Sequence, residues 1–444
     1  MSEPLQPDSS SPLARRLGLF DATMLVMGGT VGAGIFINPY VVAERVHTPA
    51  LVLGAWLLGG LIALAGAFIW AEMSDRLPRV GGQYAYLREA WHPLPAFLYG
   101  WVLLLVIQTG GMAAVTVTFS RYFLELTGLH LPYQAVAVLT LAVLTVANCM
   151  GVKSGSNVQS ALMVLKILAI AMLVVCGALL VRAPHLAFTP VAGQPLSGSL
   201  LSSIGAAMVP VVFSYGGWQT ACFVAGELKE PRRDLPRALV LGVVGVAVLY
   251  LSVNYIYVRA LGVAGLAASH TPASAVMRLA LGGPGATLIA LGIAVSTLGF
   301  LSQSVLTAPR VYFAMAEDGV FFPQLARVNP RTKVPMVAIT LQSIWTVIII
   351  FWGGYEQILN YVTSMDALFF GFSACCLFAL RRRNPSSSGF RTPGHPVTTV
   401  LFCIACFGVA ANTIYLYPRN TLMGVAILFS GVPMYYIWKR VSKP

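Results

Sequence analysis

The chain contains twelve apolar runs, each long enough to form a helix that crosses a lipid bilayer. About 20 consecutive apolar residues span the hydrocarbon core as a helix. Runs of this kind, bounded by charged residues or Pro/Gly clusters, cover residues 20–44, 51–75, 92–124, 132–151, 157–181, 200–228, 235–260, 284–316, 335–353, 356–380, 396–416 and 420–438. The sequence therefore predicts an all-α integral membrane protein with 12 transmembrane helices.

The small number of charged residues supports this prediction. Only 10% of the 444 residues are charged, whereas 57% are hydrophobic. A soluble domain carries roughly a quarter charged residues, so this chain has too few to cover a water-exposed surface. Its net charge of +13 resides mainly in short connections between apolar runs, which argues against a nucleic-acid partner. The seven cysteines lie in or beside apolar runs and indicate no disulfide framework.

The distribution of Lys and Arg predicts the orientation, because cytoplasmic loops are enriched in these residues. With the N-terminus inside, 21 of the 28 Lys and Arg lie on the cytoplasmic side and Lys166 lies within a span. The other six lie outside, namely Arg45, Arg121, Arg182, Arg259, Arg278 and Arg419. We expect a multi-pass protein of the cell (inner) membrane with cytoplasmic termini. Residues 1–17 and 439–444 are expected to be cytoplasmic tails, the first of them disordered.

Two spans contain glycine clusters that predict interruptions of the helix. The first span reads GGTVGAGIF from Gly28, and the sixth reads FSYGGW from Phe213. Each glycine in a helix interior costs about 1 kcal/mol relative to alanine. Unwound backbone inside a membrane is stable only where protein or a watery cavity satisfies its polar groups. Breaks at matching positions of two halves indicate a transporter's binding site, and they predict an inverted repeat of five plus five spans.

Each glycine cluster also has simpler interpretations. Small residues allow close helix packing in many membrane proteins, and either cluster alone would fit that interpretation. A nucleotide-binding glycine loop is excluded because no strand precedes either cluster. The pairing of the two clusters, one repeat apart, favours the broken helices.

Motifs along the whole chain point to a known family. They are GAGIF followed by Pro39, FSYGGW followed by ELKEP and LPRA, Asn148-Cys149, and Ala308-Pro309-Arg310. Together they resemble the amino acid–polyamine–organocation superfamily, and within it most closely the L-type amino acid transporters. The resemblance implies the leucine-transporter fold, with inverted repeats in residues 18–181 and 200–380 and two further helices in 396–438. It also implies alternating access, in which a bundle of spans 1, 2, 6 and 7 rocks against a scaffold.

The two interruptions are predicted to bind the charged ends of an amino acid. Free N–H groups at the positive end of a half-helix suit a carboxylate, and carbonyls at the end of the other half-helix suit an ammonium. The predicted substrate-binding residues are Thr30, Val31, Gly32, Ala33 and Gly34 in span 1, and Phe213, Ser214, Tyr215, Gly216 and Gly217 in span 6. The hydroxyls of Thr30 and Ser214 either assist or bond carbonyls of their own helices. The resemblance implies that the Phe213 ring closes the site toward the outside.

The residues near the interruptions favour a neutral amino acid. Neither interruption contains an acidic residue, which a cationic substrate would require, and Gln108 is the most conspicuous polar residue of span 3. Asp366 in span 10 is an ionisable residue inside the membrane and therefore a functional candidate. We expect it to lie beyond the pocket, facing water. Glu227 is expected to gate or cap the inner end of span 6.

Lys166 is predicted to lie inside span 5, roughly 13 Å deep at 1.5 Å per residue. A charge at that depth costs about 2.5–3.5 kcal/mol and requires a partner. The resemblance implies that its ammonium replaces the cation that ties span 1 to span 8 in sodium-coupled relatives, and that Tyr250 helps to orient the site. The expected partners are carbonyls near Gly29–Val31 and span-8 hydroxyls such as Ser296, Thr297 or Ser302.

The sequence thus predicts a sodium-independent secondary transporter, an exchanger of neutral L-amino acids, with no cofactor. A proton-coupled amino acid symporter and an antiporter of polyamines or cationic amino acids remain alternatives with the same fold. A membrane enzyme would require catalytic residues clustered near one interface, and a channel would require a continuous polar lining. The sequence contains neither pattern.

No disulfide-linked heavy subunit is predicted. In the animal relatives that the chain resembles, a cysteine in the loop after span 3 tethers a glycoprotein subunit. Here that loop, residues 127–132, reads TGLHLP. We expect the chain to function without such a subunit, as a prokaryotic member would, with the amino acid substrate and the lipid bilayer as its partners.

Overall fold

The computed structural model describes residues 13, 15–181, 198–352, 355–385, 389–416 and 418–441. Most of the expected N-terminal tail (1–12 and 14) and the last three residues (442–444) lie outside the described residues. Within the described ranges the regular structure is helical, and the one isolated β-bridge joins Leu17 to Leu228.

A helix or a broken helix occupies each of the twelve predicted spans. Their bounds, in order, are Leu19–Thr30 with Gly34–Val46; Pro49–Arg76; Pro93–Val102 with Leu103–Ile107 and Gln108–Thr127; Tyr133–Cys149; Val152–Leu180; Gly198–Tyr215 with Trp218–Glu227; Pro231–Ala267; Pro272–Thr307 with Pro309–Glu317; Met336–Trp352; Tyr355–Arg383; Val397–Leu416; and Pro418–Val441. Two short helices, Gln83–Ala90 and Pro323–Ala326, lie in connections. Pro231–Ala267 and Pro272–Thr307 extend beyond predicted spans 7 and 8, because each includes a second short helix across a kink, at Gly262 and at Gly282.

The helices have the length and composition of membrane spans. Among the described residues, eight helices are long and apolar enough to cross a bilayer, and the bent pair Leu19–Thr30 and Gly34–Val46 is a ninth candidate. Tyr133–Cys149 and Met336–Phe351 are shorter apolar helices. Large apolar side chains face outward, where only lipid would cover them, as at Leu139, Val146, Leu168, Leu179, Ile404 and Phe429. The chain is therefore an all-α multi-pass membrane protein.

The predicted interruptions of spans 1 and 6 are confirmed. In span 1, Leu19–Thr30 stops at the glycine cluster, and Gly34–Val46 continues at an angle of 42°. In span 6, Gly198–Tyr215 stops before Gly217, and a 3-10 helix completes the span. Gly217 has a φ of +103°, a conformation in which any other residue is strained.

The four spans expected to form the bundle pack against one another. Span 7 packs along spans 1 and 2, and the second half of span 1 packs along the first half of span 6. Trp56, Tyr215 and Tyr250, from spans 2, 6 and 7, have ring centroids 5.0 to 6.0 Å apart. Span 8 packs along spans 5 and 3. The inverted-repeat boundaries stay a prediction.

Candidate functional site

A cavity lies where the two broken helices meet. Its volume is about 130 Å³, roughly ten times the space that holds one water molecule. Residues of spans 1, 3, 6, 8 and 10 form its wall. The cavity therefore has room for a small solute at the depth of both interruptions.

Eight of the ten predicted substrate-binding residues line this cavity, namely Thr30, Gly32, Ala33, Gly34, Phe213, Ser214, Gly216 and Gly217. Val31 and Tyr215 are not among the lining residues. Val31 is fully buried, and the ring of Tyr215 packs against Trp56 and Tyr250. The part that these ten residues play in binding stays a prediction.

The break in span 1 presents the N-terminal end of a half-helix to the cavity. Helix Gly34–Val46 begins directly after the break, and its N-cap residue Ala33 provides no side-chain cap. The first N–H groups of a helix have no partners within the helix, and that end carries partial positive charge. Because Gly32, Ala33 and Gly34 line the cavity, this wall suits a carboxylate.

The break in span 6 presents the opposite end of a half-helix. Helix Gly198–Tyr215 ends beside the cavity, and the last carbonyls of a helix carry partial negative charge. The Phe213 carbonyl accepts a hydrogen bond from the Gly216 N–H at 3.1 Å, which leaves its second lone pair available. One wall of the cavity is thus positive and the other negative, which complements the two ends of a zwitterion.

The two breaks contact each other through their backbones. The Tyr250 hydroxyl lies 3.0 Å from the carbonyl oxygens of both Thr30 and Ser214, so its single proton is shared between them. A Cβ on Gly29 would lie 2.6 Å from the Gly217 carbonyl oxygen, and a Cβ on Gly217 would overlap the Gly29 carbonyl. Neither glycine has room for a side chain where spans 1 and 6 cross.

The hydroxyls of Thr30 and Ser214 bond carbonyls of their own helices. Thr30 donates to Val26 at 2.9 Å, and Ser214 donates to Pro210 at 2.7 Å. Asn38 then joins span 1 to span 6, because its amide donates to the Pro210 carbonyl at 3.1 Å and to the Ser214 hydroxyl at 2.7 Å. These hydroxyls support the half-helices at the edge of the cavity.

Lys166 reaches the break in span 1. Its side chain is fully buried, and its ammonium donates to the carbonyl oxygen of Val31. Gly299 of span 8 leaves space for it, since a Cβ on Gly299 would lie 3.4 Å from both Cε and Nζ of Lys166. The amino group of Lys166 therefore lies between spans 1, 5 and 8.

The span-8 hydroxyls proposed as partners of Lys166 have other neighbours. The Ser296 hydroxyl lies 3.5 Å from the Gly32 carbonyl oxygen. Thr297 donates to a carbonyl of its own helix at 2.7 Å. The Ser302 hydroxyl is buried without a hydrogen-bond partner in the described part of the chain. Among the described residues, span 8 leaves space for Lys166 at Gly299, and none of its side chains forms a hydrogen bond with Lys166.

Span 3 contributes an irregular turn that the sequence did not predict. Leu103–Ile107 is a π-helix, and the Thr109 hydroxyl donates to the Leu104 carbonyl at 2.6 Å. Its last residue, Ile107, and the following residue, Gln108, line the cavity. Single π turns occur frequently at functional sites. No local signal could have revealed this one, because LLLVI is equally an ordinary apolar helix sequence.

Three polar side chains beside the break in span 6 were also missed. Gln219, Thr220 and Gln303 all line the cavity. The Gln219 side-chain oxygen accepts from the Gly217 N–H at 3.0 Å, and the Thr220 hydroxyl donates to the Gly217 carbonyl at 2.6 Å. Gln303 of span 8 donates to the Thr220 hydroxyl. These bonds satisfy the unwound backbone, as a break at membrane depth requires.

The expectation for Asp366 is wrong. This residue lines the cavity instead of lying beyond it. The sequence placed Asp366 correctly in the interior of span 10 but did not show which face of that helix meets the other spans. The cavity therefore contains a carboxylate, and the absence of acidic residues from the two interruptions does not by itself exclude a cationic substrate.

Glu227 lies at the end of span 6 in a buried ion pair. The Arg310 Nε atom donates to its carboxylate at 2.6 Å, and both side chains are fully buried. The main-chain carbonyl of Glu227 accepts from the N–H groups of Arg16 and Leu17, each at 3.0 Å. Loss of one partner of a buried pair leaves an uncompensated charge, so this contact firmly joins span 6, span 8 and the N-terminal segment. A gating role for Glu227 stays a prediction.

The fold and the two paired breaks define a class, the multi-pass membrane protein with a cavity between interrupted helices. The sequence model of the amino acid permease family matches residues 17–436. The chain belongs to this family, within the amino acid–polyamine–organocation superfamily that its motifs resemble.

Relatives of known function are similar along almost the whole chain. The serine/threonine exchanger SteT of Bacillus subtilis is 30% identical over 438 residues, covering 96% of this chain and 98% of its own. The large neutral amino acids transporter small subunit 2 of Homo sapiens is 27% identical over 450 residues, covering 97% and 82%. The cystine/glutamate transporter of Homo sapiens is 27% identical over 435 residues, covering 96% and 85%.

Proposed function

We propose that this chain is a sodium-independent secondary transporter that exchanges neutral L-amino acids by alternating access. The observation that carries the proposal is the cavity between two half-helix ends of opposite charge. Membership of the amino acid permease family supports it. So do the names of the relatives, which include an exchanger and transporters of amino acids.

The substrate lies across the two breaks in this proposal. Its carboxylate accepts hydrogen bonds from the N–H groups at Gly32, Ala33 and Gly34, and its ammonium donates to carbonyls at the end of Gly198–Tyr215. Both sets of groups line the same cavity. The side chain then points toward the remaining wall, where Gln108 of span 3 and Phe300 of span 8 lie.

Sodium independence rests on Lys166. Carbonyls at unwound helix breaks are the groups that coordinate sodium in coupled transporters. Here the Lys166 ammonium donates to the carbonyl of Val31 at the break in span 1. A covalently attached cation in this position removes the need for a bound ion between spans 1 and 8.

Asp366 favours a second candidate function. A carboxylate in the cavity wall is the group that would attract the side chain of a cationic amino acid or a polyamine. It is also a group that a proton-coupled symporter would protonate during each cycle. Both alternatives keep the fold and change the cargo or the coupling.

Exchange in proteoliposomes tests the proposal. Vesicles containing the purified protein are either empty or preloaded with unlabelled L-serine, L-leucine or L-lysine, and uptake of the same labelled amino acid is measured. We expect fast uptake only in preloaded vesicles, and faster for serine or leucine than for lysine. Equal uptake into empty vesicles under an inward proton gradient would indicate symport, and a preference for lysine would indicate a cationic substrate.

Phe213→Ala is expected to slow exchange several-fold without loss of expression or folding. The Phe213 side chain is only partly buried and lines the cavity, so its removal weakens closure of the site more than packing of the core. Initial rates at low and saturating substrate, together with size-exclusion profiles, measure both effects. Phe372→Ala is the control, because that ring faces lipid on span 10. Unchanged rates in Phe213→Ala would refute its assignment as a lid.

The orientation and the partners belong to the same proposal. Both termini face the cytoplasm of a cell membrane, as the 21 to 6 distribution of Lys and Arg favours. Residues 18–181 and 200–380 are the two inverted repeats, and no disulfide-linked heavy subunit is required. A green fluorescent protein fused after residue 444 should fluoresce, because it folds on the cytoplasmic side; a dark, fully expressed fusion would contradict this orientation.

A further inference from the structure

Asp366 is the one ionisable residue in the cavity wall that the described residues form. Within the described part of the chain, its carboxylate has no hydrogen bond or ion pair. An uncompensated charge at membrane depth is costly, and such residues mark functional positions. The carboxylate therefore calls for a positive partner in the cavity that it lines.

The atoms around Asp366 indicate which kind of positive group would bind there. The point where a Cβ on Gly216 would lie is 3.8 Å from Oδ2 of Asp366, 3.3 Å from the Phe213 carbonyl oxygen and 3.8 Å from the Val212 carbonyl oxygen. All three neighbours are acceptors. The two carbonyls lie at the C-terminal end of the half-helix Gly198–Tyr215, where the helix dipole adds negative charge. A cation that donates several N–H bonds, an ammonium group, satisfies this set of acceptors.

Groups that ionise with opposite sign lie beside the two breaks. The Lys166 amino group bonds the carbonyl of Val31, in the break of span 1. The Asp366 carboxyl group lies near Gly216, in the break of span 6. A zwitterion with its carboxylate toward span 1 and its ammonium toward span 6 meets a group of complementary charge type at each end. The zwitterion itself adds no net charge to the low-dielectric site, which avoids the cost of a net charge there.

We propose that Asp366 is the counter-ion of the α-ammonium group of the transported amino acid. This inference rests on the proposed amino acid transport and adds a substrate-binding residue outside the two broken helices. It predicts that the site selects strongly for an α-ammonium. A 2-hydroxy acid, which has the same carboxylate and side chain but no cation, should bind poorly.

The test uses Asp366→Asn, which preserves size and removes the charge. We measure exchange of the labelled best substrate among L-serine, L-leucine and L-lysine. Unlabelled substrate and its 2-hydroxy acid analogue are each added as competitors, which gives the affinity for each. We expect the affinity for the amino acid to fall roughly tenfold to a hundredfold, as for the loss of a charged hydrogen-bond partner. The affinity for the hydroxy acid should not change, so the ratio of the two affinities, amino acid over hydroxy acid, should fall by the same factor. Asp366→Glu should restore part of the preference.

Controls separate this role from damage to the fold. Glu44→Gln makes the same carboxylate-to-amide change at an exposed position and should behave as the wild type. If Asp366→Asn weakens amino acid and hydroxy acid alike, the role is structural and the inference is wrong. If Asp366→Asn binds the amino acid as tightly as the wild type, the inference is also wrong. If that variant in addition no longer responds to a proton gradient, Asp366 is a proton carrier instead.

Two further outcomes concern the substrate itself. Loss of affinity for L-lysine alone would assign Asp366 to a side-chain ammonium and overturn the α-ammonium assignment. Absence of exchange by the wild-type protein for all three amino acids would refute the proposed function as a whole. Normal exchange by both wild type and Asp366→Asn, with equal affinities, would refute only the role of Asp366.

Discussion

Lys166→Ala is expected to lose most exchange activity, with initial rates reduced at least about tenfold, because a hydrogen bond from a charged group contributes roughly 1.5–3 kcal/mol. The Lys166 ammonium donates a hydrogen bond to the Val31 carbonyl oxygen. Without it, spans 1, 5 and 8 lose their shared contact, and the Val31 carbonyl at the break is left without this donor. Initial rates in preloaded proteoliposomes measure the effect.

Lys153→Ala is the matched control for this variant. Lys153 lies on the same helix, Val152–Leu180, but its ammonium pairs with Asp21 at 2.9 Å and its side chain is 44% exposed. Asp21 is largely buried but keeps hydrogen bonds from the Gly18 N–H and the Ser156 hydroxyl, so Lys153→Ala should retain most activity. If Lys166→Ala is fully active, or if both variants lose activity equally, Lys166 has no specific function at the break.

Gly217→Ala is expected to abolish substrate binding. An alanine Cβ would overlap the Gly29 carbonyl, and the φ of +103° strains any side chain. The two half-helices must then move apart, so the N–H and carbonyl groups no longer face one substrate. Binding is measured as the rise in melting temperature on adding amino acid, since a ligand that binds the native state stabilises it. We expect no rise in this variant.

Two other glycines provide the comparison for Gly217→Ala. Gly205, on the same half-helix, has nothing within 4 Å of a Cβ, so Gly205→Ala should bind normally. A Cβ on Gly32 would meet only the Phe300 ring, at 3.6 Å. Gly32→Val should therefore lose binding by filling the cavity, with little loss of stability. Normal ligand-induced stabilisation of Gly217→Ala would contradict the crossing of the two breaks.

The sequence predicted the features that depend on local composition. Apolar runs of membrane length located the spans, and the glycines from Gly28 to Gly34 and at Gly216 and Gly217 located the breaks. Both signals are local, because lipid solubility and helix propensity are properties of a short segment. The resemblance to a family added the relation between spans 1, 5 and 8 around Lys166.

Features that depend on which helix faces meet were missed. The sequence of span 10 did not show which face of its helix meets the other spans, so the position of Asp366 in the cavity wall was missed. The hydrogen bond from Gln303 to Thr220 exists only because span 8 passes the break in span 6. Lys166 was predicted to bond carbonyls near Gly29–Val31 and hydroxyls of span 8, and in the described part of the chain its partner is the Val31 carbonyl.

Sodium dependence is the most direct test of the central claim, that a lysine ammonium takes the place of a bound cation at the break in span 1. Exchange of the best substrate is measured in preloaded proteoliposomes at constant pH and ionic strength, with sodium present on both sides or fully replaced by choline. The account predicts equal initial rates and equal substrate affinity in the two media. Uptake that requires sodium, or affinity that rises with sodium concentration, would contradict it.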